Sequence, residues 1–180
     1  MPDNLLVTGP PRSGKTTVVE RVVDRLEQRG YRVGGLYSPE VREDGERIGF
    51  DIRDAMTVET RVLARVDREA GPSVGKYRVA VEHVDALAEA AIDRALEAAD
   101  VVVVDEIAPM EVESDSFVRA VRRALEAETP VLAAVHHRSQ RGFVGAVKDR
   151  DDAERFEVTP DTRDALPGEL FGRLDRQLVD

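Results

Sequence analysis

A run of nine residues near the start of the chain constrains its fold more than any other feature. It reads Gly9-Pro10-Pro11-Arg12-Ser13-Gly14-Lys15-Thr16-Thr17 and contains the pattern G-x-x-x-x-G-K-[ST]. The apolar run Leu5–Val7 precedes it, and valines and a leucine at helical spacing follow it between residues 18 and 26. This order predicts a buried strand, a glycine-rich loop and a helix, which is the arrangement that binds nucleotide phosphates.

Each part of this loop has a predicted role. Its backbone N–H groups and the N-terminus of the next helix form a concave site for a triphosphate, so Gly9 to Thr17 are the candidate nucleotide-binding residues. Lys15 is expected to contact the β- and γ-phosphates and to act in catalysis, while Thr16 is expected to bind Mg²⁺. Arg12 occupies a position where a small residue is more familiar, and its side chain is expected to point into solvent.

Composition narrows the class of protein further. The chain has 180 residues, no cysteine and a net charge of −10, and it contains only three lysines. A single domain spanning residues 1–180 is expected, with no disulfide, and because no apolar run approaches 18 residues we expect a soluble cytoplasmic protein. The negative charge disfavours a nucleic-acid partner. It suggests adaptation to a salt-rich cytosol, although an ordinary acidic enzyme would share this composition.

The middle of the chain predicts a small antiparallel appendage to a parallel sheet. After a strand at 31–38, a hairpin is expected around Asp44-Gly45, with further strands at Val62–Val66 and Val79–Val81. The intervening loop, Gly71–Tyr77, contains Lys76 and is either a flap near the nucleotide or a surface turn.

A second chemical site follows a predicted crossover helix at 84–99. Val101–Val104 has the composition of a strand that is buried on both faces, and Asp105 and Glu106 come directly after it. Because ligands of parallel sheets bind at the carboxyl ends of the strands, both acids should face the phosphate loop. Asp105 is the candidate metal ligand, and Glu106 is the candidate base that activates water.

The last third of the chain adds cationic candidates. A predicted strand, Val131–Val135, ends at two histidines and Arg138, which we rank first as a source of transition-state charge. The segment 139–152 is charged and is expected to be mobile, with Arg141 and Arg150 as further candidates. After a short strand at 156–158, Thr159 is expected to be the N-cap of one helix and Pro167 to begin another.

Several of these stretches resemble the small nucleoside-triphosphatase family first described from thermophiles, which includes the cancer-related nucleoside-triphosphatase. The resemblance spans nearly the whole chain and is carried by Gly9–Thr17, 38–42, 47–50, 74–77, 105–107, Met110-Glu111 and 158–164, which contains Arg163. It implies a Mg²⁺-dependent hydrolase of nucleoside 5′-triphosphates with loose base preference. It also implies an α/β P-loop core with a mostly parallel, RecA-like sheet between helices. Two departures from the family pattern are Arg12 and Ala108-Pro109.

Two other functions remain open from the sequence. A small-molecule or nucleotide kinase would use 139–152 as an arginine-bearing lid over a phosphoryl acceptor. A nucleotide-dependent switch protein would bind the triphosphate and hydrolyse it slowly. Glu106 favours hydrolysis over both, because a carboxylate next to the metal ligand is suited to deprotonating water.

Overall fold

The computed structural model describes residues 3–180, whose strands form one ten-stranded sheet with helices on both faces. The strands are Asn4–Thr8 (β1), Val33–Tyr37 (β2), Glu40–Glu43 (β3), Glu46–Asp54 (β4), Thr60–Arg65 (β5), Ser73–Val74 (β6), Tyr77–Val79 (β7), Val101–Ile107 (β8), Val131–Val135 (β9) and Ala153–Glu157 (β10). The helices are Lys15–Gln28 (α1), Val81–Ala98 (α2), Asp115–Glu126 (α3), Gly142–Lys148 (α4) and Leu166–Val179 (α5), with a 3₁₀ turn at Glu111–Glu113.

The strand order divides the sheet into two parts. Strands β10, β1, β9, β8 and β2 are neighbours in that order and run parallel. From β2 the sheet continues through antiparallel β4, β5, β7 and β6, with β3 paired to β4. The α/β prediction of a parallel sheet with an antiparallel extension is confirmed. The carboxyl ends of β1, β8 and β9 meet at one edge, where the phosphate loop begins.

Strand β8 shows why the parallel half is stable. Its valines are completely buried and alternate between the two faces: Val102 and Val104 pack with α2 and α3, whereas Val101 and Val103 pack with α1 and α5. A strand covered on both faces needs apolar residues at every position, which explains the valine run. In residues 3–180 no helix is long and apolar enough to cross a membrane.

The segment between residues 71 and 81 differs from the prediction. The strand expected at Val79–Val81 lies two residues earlier, at Tyr77–Val79, and α2 already begins at Val81. Gly75 and Lys76 form the turn of the β6–β7 hairpin, six strands from β1 in the sheet order. Of the two interpretations offered for this loop, the surface turn fits that position.

Two predictions for the C-terminal third are wrong. The segment 139–152, expected to be mobile, contains α4, because Val144 and Val147 are buried and anchor one helical turn. No helix begins at Thr159: its hydroxyl accepts hydrogen bonds from the N–H groups of Asp161 and Thr162, as an N-cap would, but the chain continues as turns and the next helix begins at Leu166. The helix predicted to start near Pro167 is confirmed as α5.

We expect the melting temperature to rise between low salt and molar KCl. Within residues 3–180, eleven arginines form ion pairs, and salt weakens such pairs, but exposed pairs contribute only about 0–1 kcal/mol each. Salt should therefore stabilise the folded state more by screening the net charge of −10 than it destabilises it by weakening ion pairs. Thermal melts across the KCl series measure this effect. A series near the isoelectric point of about 4.9 is the control and should be nearly flat. A midpoint at pH 7 that stays level or falls would contradict the salt adaptation.

Candidate nucleotide-binding and catalytic site

The phosphate loop requires glycine at its two ends for different reasons. Gly14 has a φ of 102°, in the left-handed region, and directly precedes α1. A Cβ at Gly9 would lie 2.9 Å from the carbonyl oxygen of Val158, because β10 pairs with β1 and brings that backbone against the loop. Between them the chain turns so that the N-terminus of α1 faces the sheet edge, as an anion site requires.

The structure brings the two predicted chemical sites into contact. The Nζ of Lys15, in the first turn of α1, lies 2.6 Å from Oε2 of Glu106 on β8. Both side chains are partly shielded from solvent, with exposed fractions of 14% and 27%. Because the loop and the acid are ninety-one positions apart, this contact depends on the sheet, which places the ends of β1 and β8 at one edge.

Asp105 lies beside this pair and is almost completely buried. The pKa of its carboxyl group is raised to about 7, chiefly by burial and also by the negative charge of Glu106, while a hydrogen bond with the Thr16 side chain opposes the shift. The peptide bond between Asp105 and Glu106 is cis. A divalent cation at this carboxylate would favour the charged form, so the pair Thr16 and Asp105 is chemically suited to bind one.

A cavity of about 210 Å³ opens next to the two predicted metal ligands. Its lining consists of Thr16, Glu20, Tyr37, Ser38, Pro39, Arg53 and Asp105. The strand register explains part of this set, because Tyr37 pairs with Asp105 on one side and with Arg53 on the other. Sequence reasoning missed Tyr37 and Arg53, since nothing local indicates that the antiparallel strand β4 passes this edge.

Glu111 is a third acid of the site and is buried close to Asp105 and Glu106. Ser38 links Glu111 to Asp105, because its N–H donates to the Asp105 carbonyl oxygen at 2.6 Å and its Oγ donates to Oε2 of Glu111 at 2.9 Å. The pKa of Glu111 is raised to about 8, chiefly by burial and also by the negative charge of Glu106. From the sequence, Glu111 belongs only to the family resemblance and has no predicted role.

Glu111→Gln is expected to change how folding stability depends on pH. The folded state holds a proton on Glu111 that the unfolded state loses above its ordinary pKa of 4.5, so this stabilisation is lost as pH rises through about 8. Relative to the variant, the parent should lose at least about 1.4 kcal/mol of unfolding free energy between pH 5 and 8.5, which corresponds to one pKa unit. Urea unfolding at several pH values gives this difference. Exposed Glu113→Gln is the matched control, and parallel profiles for parent and Glu111→Gln would refute the assignment.

The segment after β9 forms the third side of the site. The N–H of His136 donates to the Ile107 carbonyl oxygen, and its Nδ1 lies 2.7 Å from Oγ of Ser139. Burial lowers the pKa of His136, and the charge of Glu106 opposes this shift, which indicates that the ring lies near Glu106 and Lys15. The buried Lys148 donates to the carbonyl oxygens of His137 and Ser139, so it holds the whole turn in place.

The cationic candidates differ in whether their side chains are available to the phosphates. Arg138 is exposed and, in residues 3–180, its guanidinium makes no ion pair or hydrogen bond. Arg163 lines a cavity beside the phosphate loop together with Arg12, which is exposed as expected. In contrast, Arg150 pairs with Asp152, and Lys76 lies over the Tyr77 ring at the far side of the sheet. Arg141 lies at the exposed start of α4.

The site consists of a glycine-rich loop between a parallel strand and a helix, and the lysine of this loop lies against an acid at the end of a neighbouring strand. This arrangement defines the class of P-loop nucleoside-triphosphatases. Comparison with known proteins identifies the family within this class. The family described as NTPase matches residues 4–171, and the chain belongs to it. It is therefore a hydrolase of nucleoside triphosphates.

Relatives in the family share most of the length of the chain. Nucleoside-triphosphatase THEP1 from Methanopyrus kandleri is 48% identical over 95% of this chain and 94% of its own, and that from Thermofilum pendens is 47% identical over 93% and 92%. The crystal structure of THEP1 from Aquifex aeolicus has a TM-score of 0.81 at 26% identity, covering 96% of this chain and 99% of that one. The solution structure of a human cancer-related nucleoside triphosphatase has a TM-score of 0.80 at 31% identity, covering 96% and 97%.

Proposed function

We propose that the protein hydrolyses nucleoside triphosphates to diphosphate and inorganic phosphate in a Mg²⁺-dependent reaction, with Glu106 as the base. The observation that carries this proposal is the 2.6 Å contact between Nζ of Lys15 and Oε2 of Glu106. A lysine of the phosphate loop must reach the terminal phosphates, so an acid that touches it lies where attacking water has to be activated.

Residues Gly9 to Thr17 are assigned to the phosphates. Backbone N–H groups of the loop and of the first turn of α1 would surround the β-phosphate, and the Lys15 ammonium would lie against the β- and γ-phosphates. The Lys15 ammonium would turn from Glu106 toward the phosphates, which carry more negative charge than a single carboxylate. Substrate binding would therefore separate the pair and leave the carboxylate free to accept a proton.

Thr16 and Asp105 are assigned to the metal. Among residues 3–180 there is no cluster of three or more acidic, histidine or cysteine side chains that could hold a metal. This fits Mg²⁺, which usually binds through one or two protein oxygens together with substrate phosphates. When bound, Mg²⁺ would neutralise charge that develops on the β- and γ-phosphate oxygens.

In the chemical step, the oxygen of a water molecule attacks the γ-phosphorus and the bond from that phosphorus to the β–γ bridging oxygen breaks. Glu106 accepts one proton from the water, so inorganic phosphate and a nucleoside diphosphate are released. We assign Arg138 to the negative charge that accumulates at the γ-phosphate. Support comes from its guanidinium, which makes no ion pair or hydrogen bond with any residue that the structure describes, and from the turn that carries it, which Lys148 holds beside His136.

A kinase has less support from the structure. Its lid would be segment 139–152, but α4 in this segment packs Val144 and Val147 into the core, and Lys148 is fixed to two carbonyl oxygens. A segment with these anchors is poorly suited to opening and closing over an acceptor.

The proposed function is tested by phosphate release from ATP, GTP, CTP and UTP, with no acceptor present and with either Mg²⁺ or EDTA. Repeated turnover in Mg²⁺ and loss of release in EDTA are expected. Release that stops after one equivalent, or that requires an added acceptor, would contradict the proposal, and an undiminished rate in EDTA would exclude the metal.

A further inference from the structure

The end of β8, which carries Asp105 and Glu106, is held differently on its two sides. On the β9 side the register shifts between Asp105 and Ile107, so Glu106 has no partner in that strand. On the β2 side the last pair is Tyr37 with Asp105, and the N–H of the next residue, Ser38, donates to the Asp105 carbonyl oxygen at 2.6 Å. Ser38 therefore holds the backbone between the two acids from the β2 side.

Ser38 is itself fixed by two further contacts. The following residue, Pro39, has a restricted backbone, and its carbonyl oxygen accepts from the N–H of Asp51 at 2.9 Å, which ties the segment to β4. The Ser38 hydroxyl donates to Oε2 of Glu111 at 2.9 Å. Ser38 thus connects three parts of the site, because its N–H binds β8, its neighbour binds β4 and its side chain binds the 3₁₀ turn.

Glu111 is an unusual residue to find in this place, because only 3% of it is exposed. Among the residues that the structure describes, its carboxyl group bonds to one other side chain, that of Ser38, and it forms no ion pair. Burying an acid without a cation costs free energy, and an apolar side chain of similar size would avoid that cost. The contact with Ser38 is therefore the feature of Glu111 that an apolar residue could not supply.

The turn that carries Glu111 is held by main-chain hydrogen bonds. The N–H of Val112 donates to the Ala108 carbonyl oxygen, and the N–H of Ser114 donates to the Glu111 carbonyl oxygen, each at 3.1 Å. Ser114 is completely buried and is the N-cap of α3, which anchors the far end of the turn. The position of the Glu111 backbone therefore does not depend on its side chain, so the side chain can be replaced while the turn is kept.

We propose, on the basis of the proposed function, that Ser38 and Glu111 are positioning residues that hold Asp105 in the orientation in which it binds the metal. Glu111 supplies the acceptor that fixes the Ser38 side chain, and Ser38 holds Asp105 through the backbone. Ser38 and Asp105 both line the cavity next to Thr16, so a displacement of Ser38 would move a wall of that cavity and the metal ligand together. Residues that support a metal ligand from outside typically contribute about 10–100-fold in metal affinity or activity.

The test measures the part of nucleotide affinity that depends on the metal, and it does not require hydrolysis. Calorimetry gives the dissociation constant of the β,γ-imido analogue of ATP in Mg²⁺ and in EDTA, and the ratio of the two constants is the gain from the metal. Ser38→Ala and Glu111→Leu should each lower this ratio by about tenfold or more relative to the parent. Their affinity in EDTA should stay close to that of the parent, because the phosphate loop is unchanged.

Three further variants show whether the effect passes from Glu111 through Ser38. Glu111→Gln should keep the parental ratio, because its amide oxygen can still accept from the Ser38 hydroxyl. Glu113→Leu, at an exposed position of the same turn, is the matched control and should also keep it. The double variant of Ser38→Ala with Glu111→Leu should lose no more than the larger of the two single losses, since both changes break one contact.

The outcomes distinguish this inference from the proposed function. A parental ratio that falls in neither Ser38→Ala nor Glu111→Leu overturns the positioning role but leaves hydrolysis at Glu106 untouched. Equal affinity of the parent in Mg²⁺ and in EDTA overturns the metal assignment and the positioning role together. A lowered ratio in Glu111→Gln or Glu113→Leu, or additive losses in the double variant, overturns the path through Ser38. A thermal melt checks folding, and if Glu111→Leu is unfolded, Ser38→Ala and Glu111→Gln decide the question.

Discussion

Glu106→Gln is expected to lower the single-turnover rate of nucleoside-triphosphate hydrolysis by about 10²–10⁴. Glutamine keeps the size and most of the hydrogen-bonding capacity of the side chain, but it cannot accept the proton of the attacking water. Because that proton moves only as the reaction proceeds, nucleotide affinity should stay close to that of the parent. The bound triphosphate should then accumulate, which single-turnover quenching and equilibrium binding of the same variant measure together.

Two further variants show whether loss of turnover without loss of nucleotide affinity is specific to Glu106. Asp105→Asn should weaken Mg²⁺-dependent affinity and turnover together, because Asp105 is assigned to the metal. Lys15→Ala should also weaken affinity, because it removes the cation that faces the phosphates. If Glu106→Gln hydrolyses near the parental rate, Glu106 is a solvated acid that merely pairs with Lys15, and the water is activated elsewhere.

Arg138→Ala is expected to have the largest effect on turnover, about 10³–10⁵, if Arg138 supplies transition-state charge. Its side chain is exposed and the turn that carries it is anchored by Lys148, so the variant should fold normally. A thermal melt checks folding, and steady-state phosphate release measures turnover. Arg176→Ala is the control, because it removes an exposed arginine from α5. A decrease of no more than about tenfold, or about 1.4 kcal/mol of barrier, would show that Arg138 is not the arginine concerned.

The strongest features of the fold could be predicted because they are local. The glycine–lysine pattern, the helical stripe after it and the valines of β8 each depend on neighbours within a few turns or one strand. Together they predict the parallel sheet and the edge where Lys15 and Glu106 meet. The contact itself follows from a general property of parallel sheets, whose ligand-binding residues gather at the carboxyl ends of the strands.

The errors arise where tertiary contacts override local signals. Helix α4 is only seven residues long and its two buried valines span a single turn, so it gives little helical periodicity within a segment that has charged residues on both sides. The Thr159-Pro160 pair is typical of a helix start, and the Thr159 hydroxyl does accept from the N–H of Thr162, but the turn is not extended and the next helix begins only at Leu166.

Other contacts of the candidate site could not be predicted, because the residues meet only through the sheet. Arg12 and Arg163 share a cavity since β10 is the parallel neighbour of β1, and no local pattern predicts that pairing. Glu111 is buried by a 3₁₀ turn that has no periodic signal.

A single domain also stays a prediction, and the one sheet that includes strands from Asn4 to Glu157 is consistent with it.

The central claim, that water activated at Glu106 attacks the γ-phosphate, is tested most directly by single-turnover hydrolysis in H₂¹⁸O with Mg²⁺ and no acceptor. Mass spectrometry of both products shows where the solvent oxygen goes. We predict one ¹⁸O atom in the inorganic phosphate and none in the nucleoside diphosphate, with Glu106→Gln forming the same labelled product at the reduced rate. Label in the diphosphate, or phosphate that carries no solvent oxygen, would contradict attack of water on the γ-phosphate.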